Sequence, residues 1–150
     1  MALHDEELTM EDATLAVATQ LTSAWTAANT DSLTPTIGPI YNYKRVDVGI
    51  GGDYALTVPV SHSERPASIG YSYIDYTDVV SIDLRTGVSR AHLIKMRDEA
   101  RRCVYATKTT LGGYRLCKIV AVHDASDKMR NLWRMIIDVE MKKVLDTVPV

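Results

Sequence analysis

The sequence predicts an α+β fold in which a largely antiparallel sheet of about five to six strands is covered by two helices. Three observations predict it. Apolar residues recur at helical spacing in two separate segments, a tyrosine-rich run of alternating segments lies between them, and two more alternating segments follow the second helix. The predicted order is α-β-β-β-β-α-β-β, and runs of strands between separated helices favour antiparallel pairing.

The composition is that of one average globular domain. The chain has 150 residues, of which 46% are hydrophobic and 24% are charged. We expect residues 1–150 to form a single domain, with 1–8 and 146–150 flexible. No apolar run approaches the roughly 18 to 20 residues of a membrane span, and the first residues are acidic where a secretory signal is basic and apolar. We therefore expect a soluble protein without an export signal or membrane contact.

The first predicted helix runs from about Thr9 to about Ala28. Thr9 and Asp12 resemble a capping box in which aspartate replaces glutamate, and acidic side chains favour the positive end of a helix dipole. One apolar stripe follows at three- and four-residue spacings: Val17, Leu21, Ala24, Trp25 and Ala28. The polar run 29–32 and Pro35 end the helix, and residues 32–39 are predicted to form a loop.

A β-meander is predicted between the two helices. Aromatic and β-branched residues at 40–48 and 54–60 indicate extended segments, separated by the glycine-rich turn 49–53. Pro59 and the polar residues 61–66 predict a flexible loop after the second segment. Alternation resumes at 69–74, and residues 75–78 are predicted to turn the chain into the next strand.

The clearest unit is a strand followed by a helix within residues 79–105. Apolar and polar residues alternate from 80 to 84, which is typical of a strand with one buried face. Thr86 and Gly87 end this pattern. From Ser89 onwards the apolar spacing changes to three and four, which predicts an amphipathic helix with this buried stripe: Leu93, Met96, Ala100, Cys103 and Val104.

Two further strands are predicted after the second helix. Both alternating sets within 114–122 are compatible with burial, so both faces of this strand are expected to be covered. The segment 132–144 fits a helix through Leu132, Met135, Ile136 and Val139. It fits a strand through Trp133, Met135, Ile137, Val139 and Met141, and we favour the strand because charged residues alternate with this second set.

No motif predicts a catalytic, cofactor or metal site. The histidines are far apart and lack carboxylates at ligand spacing, so we expect them to be surface or partly buried residues. Ser, His, Ser and Glu stand side by side at 61–64, but triads are assembled from separated segments, so a polar loop is favoured.

The glycines of 49–52 precede an extended run and not a helix, which favours a hairpin turn over a phosphate loop. Cys103 and Cys117 lack partners at ligand spacing and are expected to be small buried apolar residues.

Basic residues concentrate on and just before the second helix: Arg85, Arg90, Lys95, Arg97, Arg101 and Arg102. Asp98 and Glu99 oppose them, and the net charge of −2 argues against a generally basic nucleic-acid binder. A solvated helix face with internal ion pairs is the favoured interpretation. Contact with a partner, or passive contact with DNA, is the alternative.

Tyrosine is abundant, with 8 copies, whereas phenylalanine is absent. Most tyrosines fall in the predicted meander: Tyr41, Tyr43, Tyr54, Tyr71, Tyr73 and Tyr76. Because alternation directs successive side chains to opposite faces, these rings cannot all enter one core. Tyrosine is favoured at protein interfaces, so the outward rings are either a subunit contact or ordinary surface residues.

Three segments together carry a resemblance to a known family. They are 81–87 (SIDLRTG), 97–102 (RDEARR) and 126–134 (SDKMRNLWR) before the strand at 137–139. In element order and local composition, from about Thr9 to Leu145, the chain resembles the tail-terminator proteins of long-tailed bacterial or archaeal viruses, also called tail-completion or neck proteins.

This resemblance implies a virion structural protein without enzymatic activity or a cofactor. Members form a ring, commonly a homohexamer, that caps the tail tube and joins it to the head connector, while the genome passes through the lumen. The implied partners are further copies of the chain, the tail tube protein and the head–tail connector, with passive contact to genomic DNA. The implied location is the neck or tail of the virion, and the host cytoplasm during assembly.

Under this resemblance, candidate contact residues follow from composition. The candidate interface residues are Tyr41, Tyr43, Tyr54, Tyr71, Tyr73, Arg97 and Arg101, together with the loops 49–53 and 61–68. The candidate DNA contacts in the lumen are Arg90, Lys95 and Arg102. Two alternatives stay open: another ring- or tube-forming virion component, such as a connector or tail tube protein, and a small α+β ligand-binding or enzymatic domain with a deep polar pocket.

Overall fold

The computed structural model describes residues 10–40, 52–66, 73–106, 114 and 116–146. Within them lie two helices and five strands. Their bounds are α1 Met10–Ala24, β1 Thr36–Pro39, β2 Tyr54–Pro66, β3 Tyr73–Thr86, α2 Arg90–Ala106, β4 Leu116–Asp124 and β5 Trp133–Asp146. The α+β class is confirmed, with three strands between the helices in the part described, where four were predicted.

The strands form one sheet in the order β1-β2-β3-β5-β4. β1 runs parallel to β2, and every other neighbouring pair is antiparallel. β3 occupies the centre and pairs with β5 from Tyr73 to Thr86, so its whole length is hydrogen-bonded on that side. This central strand positions most of the groups discussed below.

Both helices pack on one face of the sheet, which we call the inner face. α1 lies over β1 and β2, and α2 lies over β3, β5 and β4. Cross-strand neighbours on this face, such as Ile82 beside Ile137, meet the apolar stripes of both helices. The fully buried members include Val17, Leu21, Val80, Ile82, Leu84, Leu93, Met96, Ile137, Val139 and Met141.

The predicted unit at 79–105 is confirmed as the end of β3 followed by α2. Ser89 caps the helix, since its hydroxyl accepts from the backbone N–H of His92 at 3.1 Å.

Cys103 and Cys117 are buried free thiols, as predicted. Burial raises the pKa of each thiol to about 11, so both stay protonated at neutral pH.

Two predicted interruptions of the meander are wrong. Residues 61–66 continue β2, and residues 75–78 belong to β3, because polar cross-strand neighbours such as His62 and Asp78 pair with one another. A shift of register between Pro59 and Ser61 lets β2 continue past the proline, which lacks an N–H for the ladder. The result is a long hairpin where a short one with a loop was expected.

Two further boundaries were predicted incorrectly. α1 ends at Ala24, earlier than predicted, and a 3-10 turn at Ala27–Thr30 follows. Residues 36–39 form β1, where a loop was expected, because their backbone pairs with the start of β2. The predicted strand at 41–48 lies outside the described residues.

β4 has one covered face, not two, because both helices pack on the inner face of the sheet and the outward side chains of β4 stay exposed. Its pairing with β5 shifts register between Ile119 and Ala121, and Val120 and Val122 remain 46% and 37% exposed. The ambiguous segment 132–144 lies in strand β5, as favoured from the charge alternation.

Truncation of a core residue tests this packing. Leu93 is completely buried, so Leu93→Ala should lower the free energy of unfolding by about 2–5 kcal/mol. Leu15 lies on the exposed side of α1, and the control Leu15→Ala should cost less than about 1 kcal/mol. Urea unfolding followed by circular dichroism measures both, and equal losses would contradict the assigned core.

Candidate functional site

A buried histidine joins three separate parts of the chain. His92, in the first turn of α2, is 1% exposed. Its Nδ1 lies 2.8 Å from Asp31 Oδ2, and its Nε2 lies 2.5 Å from Asp53 Oδ2. Because both ring nitrogens face carboxylate oxygens, both carry protons and the ring is an imidazolium. We call Asp31, His92 and Asp53 the His92 clamp.

The second oxygens of the two carboxylates are also bonded. Thr86 at the end of β3 donates its hydroxyl to Asp53 Oδ1 at 2.7 Å, and Lys95 Nζ lies 2.6 Å from Asp31 Oδ1. Burial alone lowers the pKa of His92, but the hydrogen bonds to Asp53 and Asp31 outweigh it and raise the pKa above its usual value. The clamp therefore holds the turn after α1 and the start of β2 against α2.

A second histidine has the same arrangement on the β2–β3 hairpin. His62 Nδ1 lies 2.6 Å from Asp78 Oδ1, and its Nε2 lies 2.9 Å from Glu64 Oε1. The buried Tyr114 donates its hydroxyl to Asp78 Oδ2 at 3.1 Å. Although burial lowers the pKa of His62, its bonds to Glu64 and Asp78 raise it overall. We call Glu64, His62 and Asp78 the His62 clamp.

A buried glutamate fixes the end of α1. Glu99 Oε2 accepts from the backbone N–H of Thr26 at 3.1 Å and from Asn29 Nδ2 at 3.0 Å, and its Oε1 accepts from Arg102 Nε. Arg102 also donates to the carbonyl of Ala24, so it caps the last turn of α1. Burial raises the pKa of Glu99, but these donors outweigh burial and lower it overall. This network explains why α1 ends before its predicted boundary.

On the opposite, outer face of the sheet, a carboxylate joins two strands. Asp83 on β3 is buried, and its Oδ2 lies 2.8 Å from Arg85 Nη2 and 2.9 Å from Arg134 Nη2 of β5. Ser81 donates its hydroxyl to Asp138 Oδ1 at 2.6 Å one pair further along the same strands. These bonds fix the register of β3 against β5.

The candidate DNA contacts all have partners within the chain. Arg90 Nη1 lies 2.6 Å from Asp124 Oδ2, Lys95 pairs with Asp31, and Arg102 pairs with Glu99. The pKa of Asp124 falls to about 2, because Ser126 and Arg90 both donate to the carboxylate. The basic residues of this helix therefore form ion pairs within the chain. This agrees with the interpretation favoured from the sequence, a solvated helix face with internal ion pairs.

The candidate interface arginines differ in their surroundings. Arg97 Nη2 lies 2.9 Å from Asp98 Oδ1, whereas Arg101 is exposed and has no ion-pair partner among the described residues. An open groove of about 490 Å³ runs along this side of α2, lined by Asp98, Arg101, Arg102, Tyr105 and Ala106. Arg101 is therefore the cation of this helix that is best placed to meet another molecule.

The candidate tyrosines are only partly described. Tyr41, Tyr43 and Tyr71 lie outside the described residues, and so does the side chain of Tyr73, which begins β3. Tyr54 is half-buried at the start of β2, beside Gly52. A Cβ at Gly52 would lie 3.1 Å from the Tyr54 ring, so glycine leaves room for it. Of the candidate loops, Asp53 belongs to the His92 clamp and residues 61–66 form a strand.

The prediction that the histidines are surface or partly buried is wrong for His92. The sequence around His92 offered a signal of its burial. Position 92 borders the apolar stripe of α2, and Glu99 follows seven residues later on the same side of the helix. Likewise, extending the inward alternation of β3 from Val80 places Asp78 on the inner face. The partners of these groups come from distant segments, which no local pattern identifies.

Comparisons with known proteins leave the family open, since no protein-family model matches the sequence and a search of curated proteins found no similar one. In the described segments, no helix combines the length and apolar character needed to cross a bilayer. Those segments also contain no group of three or more histidine, cysteine or acidic side chains arranged to hold a metal ion.

The raised histidine pKa values predict that the protein becomes less stable as the pH rises. The folded protein retains imidazolium protons that the unfolded chain releases near pH 6.5. Their contribution to the free energy of unfolding is complete below about pH 6.5, and it is lost as the pH rises through the folded-state pKa values. Urea unfolding between about pH 6 and 8 avoids the unfolded-state cysteines, which ionise near pH 8.5.

The expected loss of stability should diminish in His92→Asn and in His62→Asn. His123 is mostly exposed on β4, so His123→Asn is the matched control and should keep the slope of the parent protein. A free energy of unfolding that does not fall over this pH range would show that the two rings are not held as imidazolium ions.

Removal of the buried glutamate should be costly. Glu99→Ala leaves the Thr26 N–H, the Asn29 amide and Arg102 without their acceptor, which should lower the free energy of unfolding by about 3 kcal/mol. The exposed neighbour provides the control, since Asp98→Ala should cost less than about 1 kcal/mol. Similar losses for the two variants would contradict the role assigned to Glu99.

Proposed function

We propose that the protein is a virion structural protein that forms a ring, caps the tail tube and joins it to the head connector. The observation that carries the proposal is that two distant segments of the sequence lie side by side in the fold. Two of the segments that resemble tail-terminator proteins, 81–87 and 126–134, lie far apart in sequence and meet in the fold. Asn131 Nδ2 donates to the Gly87 carbonyl at 3.1 Å, and Arg134 pairs with Asp83. The resemblance thus falls on one contiguous region at an end of the sheet.

The layout of the sheet also supports assembly into a closed ring. Both helices cover the inner face, and β4 pairs only with β5 among the described strands, which leaves its other edge open to a neighbouring subunit. This edge is restrained, because the Tyr105 hydroxyl accepts from the Ile119 N–H at 3.0 Å and the strand shifts register next to it. Such features oppose unlimited strand addition and favour a defined contact.

The charge pairing on α2 suits passive passage of DNA in this proposal. Arg90, Lys95 and Arg102 are each neutralised by a carboxylate, so their joint field at the surface is weak. Strong neutralisation of phosphates would hold DNA in place. A genome that has to move through a lumen requires weak contact.

Electron microscopy of the purified protein in negative stain tests the proposal. Single closed rings are the expected result. Open-ended tubes would favour a tube or connector component instead. A monomer in light scattering, at high concentration and physiological salt, would contradict the ring.

Reversal of two charges tests whether α2 contributes to assembly. Arg97→Glu with Arg101→Glu should leave the subunit folded, since neither side chain is in the core, and should weaken association. The control Lys142→Glu changes an exposed lysine of β5 that lies outside the candidate interface set, and it should assemble normally. Sedimentation velocity measures both, and unchanged assembly of the double variant would remove the helix from the interface.

A further inference from the structure

The second half of β2 has a free edge. β1 pairs with β2 only at residues 54–57, whereas β2 continues to Pro66 with β3 on its other side. Among the described strands, none lies beside residues 60–66 on the side away from β3. Val60 is 51% exposed in this stretch, and Ser61, Ser63 and Arg65 are exposed as well. Such an edge offers N–H and C=O groups to which another strand can bond.

The backbone groups of His62 and Glu64 face this free edge. The Thr57 carbonyl accepts a backbone N–H from just after β1 at 2.8 Å, so residue 57 faces β1 and residue 58 faces β3. The register shift between Pro59 and Ser61 adds one residue to β2 and moves this alternation by one position. Residues 61, 63 and 65 therefore bond to β3, whereas residues 62 and 64 direct their N–H and C=O groups away from it.

Two prolines limit the length of the free edge. Pro59 and Pro66 stand at its two ends and lack the N–H that a strand ladder uses. Only the short stretch between them can donate to a neighbouring strand, which opposes the growth of an extended sheet. One partner strand of matching length is enough to satisfy this edge.

The same edge of a second copy is such a partner. Two copies can align antiparallel around a two-fold axis at Ser63, so that His62 of one copy lies opposite Glu64 of the other. Because both residues direct their backbone groups to the free edge, they exchange two hydrogen bonds, and symmetry repeats this pair across the axis. The alignment also places opposite charges side by side, since the His62 ring is an imidazolium held by carboxylates and Glu64 is a carboxylate.

Neighbouring alignments are less favourable. A two-fold axis at Glu64 would set this carboxylate opposite its own symmetry mate, and an axis at His62 would oppose two imidazolium rings. Like charges directly opposite each other destabilise a strand pair. A shift by a single residue would set the outward groups of one copy against the inward groups of the other, so no ladder could form. The axis at Ser63 is therefore the favoured one.

We infer that β2 of one copy pairs with β2 of a second copy along residues 60–66, around a two-fold axis at Ser63. This inference goes beyond the proposed ring, because the contact uses the side of the sheet opposite to β4 and joins copies in pairs whether or not they form a ring. A two-fold contact closes on itself. It can therefore link two rings at most, and no tube grows from it.

Engineered cysteines test this pairing. Ser63 meets its own symmetry mate at the axis, where the two Cα atoms lie about 4.5 Å apart, within the range of a disulfide. Ser63→Cys should therefore form disulfide-linked dimers under mild oxidation, while the natural cysteines are buried and do not compete. Ser61→Cys is the matched control on the same face of the same strand. Its symmetry mate lies roughly 13 Å away along the strand, so it should crosslink at least about tenfold less.

A mixture of two variants tests the alignment. Ser61 lies opposite Arg65 of the partner copy, so Ser61→Cys and Arg65→Cys should each stay monomeric on a non-reducing gel and should crosslink when mixed. Equal crosslinking of Ser63→Cys and Ser61→Cys, or none in any of these samples, would overturn the pairing.

The pairing and the ring fail separately. Rings in electron microscopy without a Ser63→Cys dimer would overturn the pairing alone. Dimers of Ser63→Cys without rings would support the pairing and contradict the ring. A parent protein that stays monomeric in light scattering at high concentration would overturn both.

Discussion

The burial of charged side chains along β3 is the constraint on which the rest of the structure depends. Asp78 and Asp83 occupy opposite faces of this central strand and both are buried. A buried carboxylate is tolerated only with charged or hydrogen-bonding partners. Asp78 takes them from β2 and from Tyr114, and Asp83 takes them from β3 and β5. Meeting both requirements fixes how β3 aligns with its neighbours.

The two histidine clamps add to this constraint, one within the sheet and the other beyond it. One fastens β2 to β3, and the other fastens the turn after α1 and the start of β2 to α2. In each, one protonated ring satisfies two carboxylates, which a neutral ring with a single N–H cannot do.

The elements with a regular pattern were predictable from the sequence, and those shaped by distant partners were not. The alternation from Val80 to Leu84 and the stripe from Leu93 to Val104 each report one buried face, so the strand and α2 were assigned correctly. The polar half of β2 looked like a loop, because His62 and Glu64 gain their place only by pairing with β3. β1 was missed for the same reason, since its short backbone is ordered by the start of β2.

For the candidate site too, the sequence could not identify partners that lie far apart along the chain. The cations of α2 and the acids among them were visible in the sequence, and internal pairing was the favoured interpretation. The partner of Arg90, however, is Asp124, on a strand 34 positions away, and the partner of Lys95 is Asp31.

The central claim is that β3 and α2 are held by histidines protonated on both ring nitrogens. Nitrogen NMR of the histidine rings, recorded as a function of pH, tests it most directly. We expect Nδ1 and Nε2 of His92 to lose the imidazolium state with a titration midpoint above the usual value of about 6.5. A midpoint at or below that value would contradict the claim that His92 is held as an imidazolium ion.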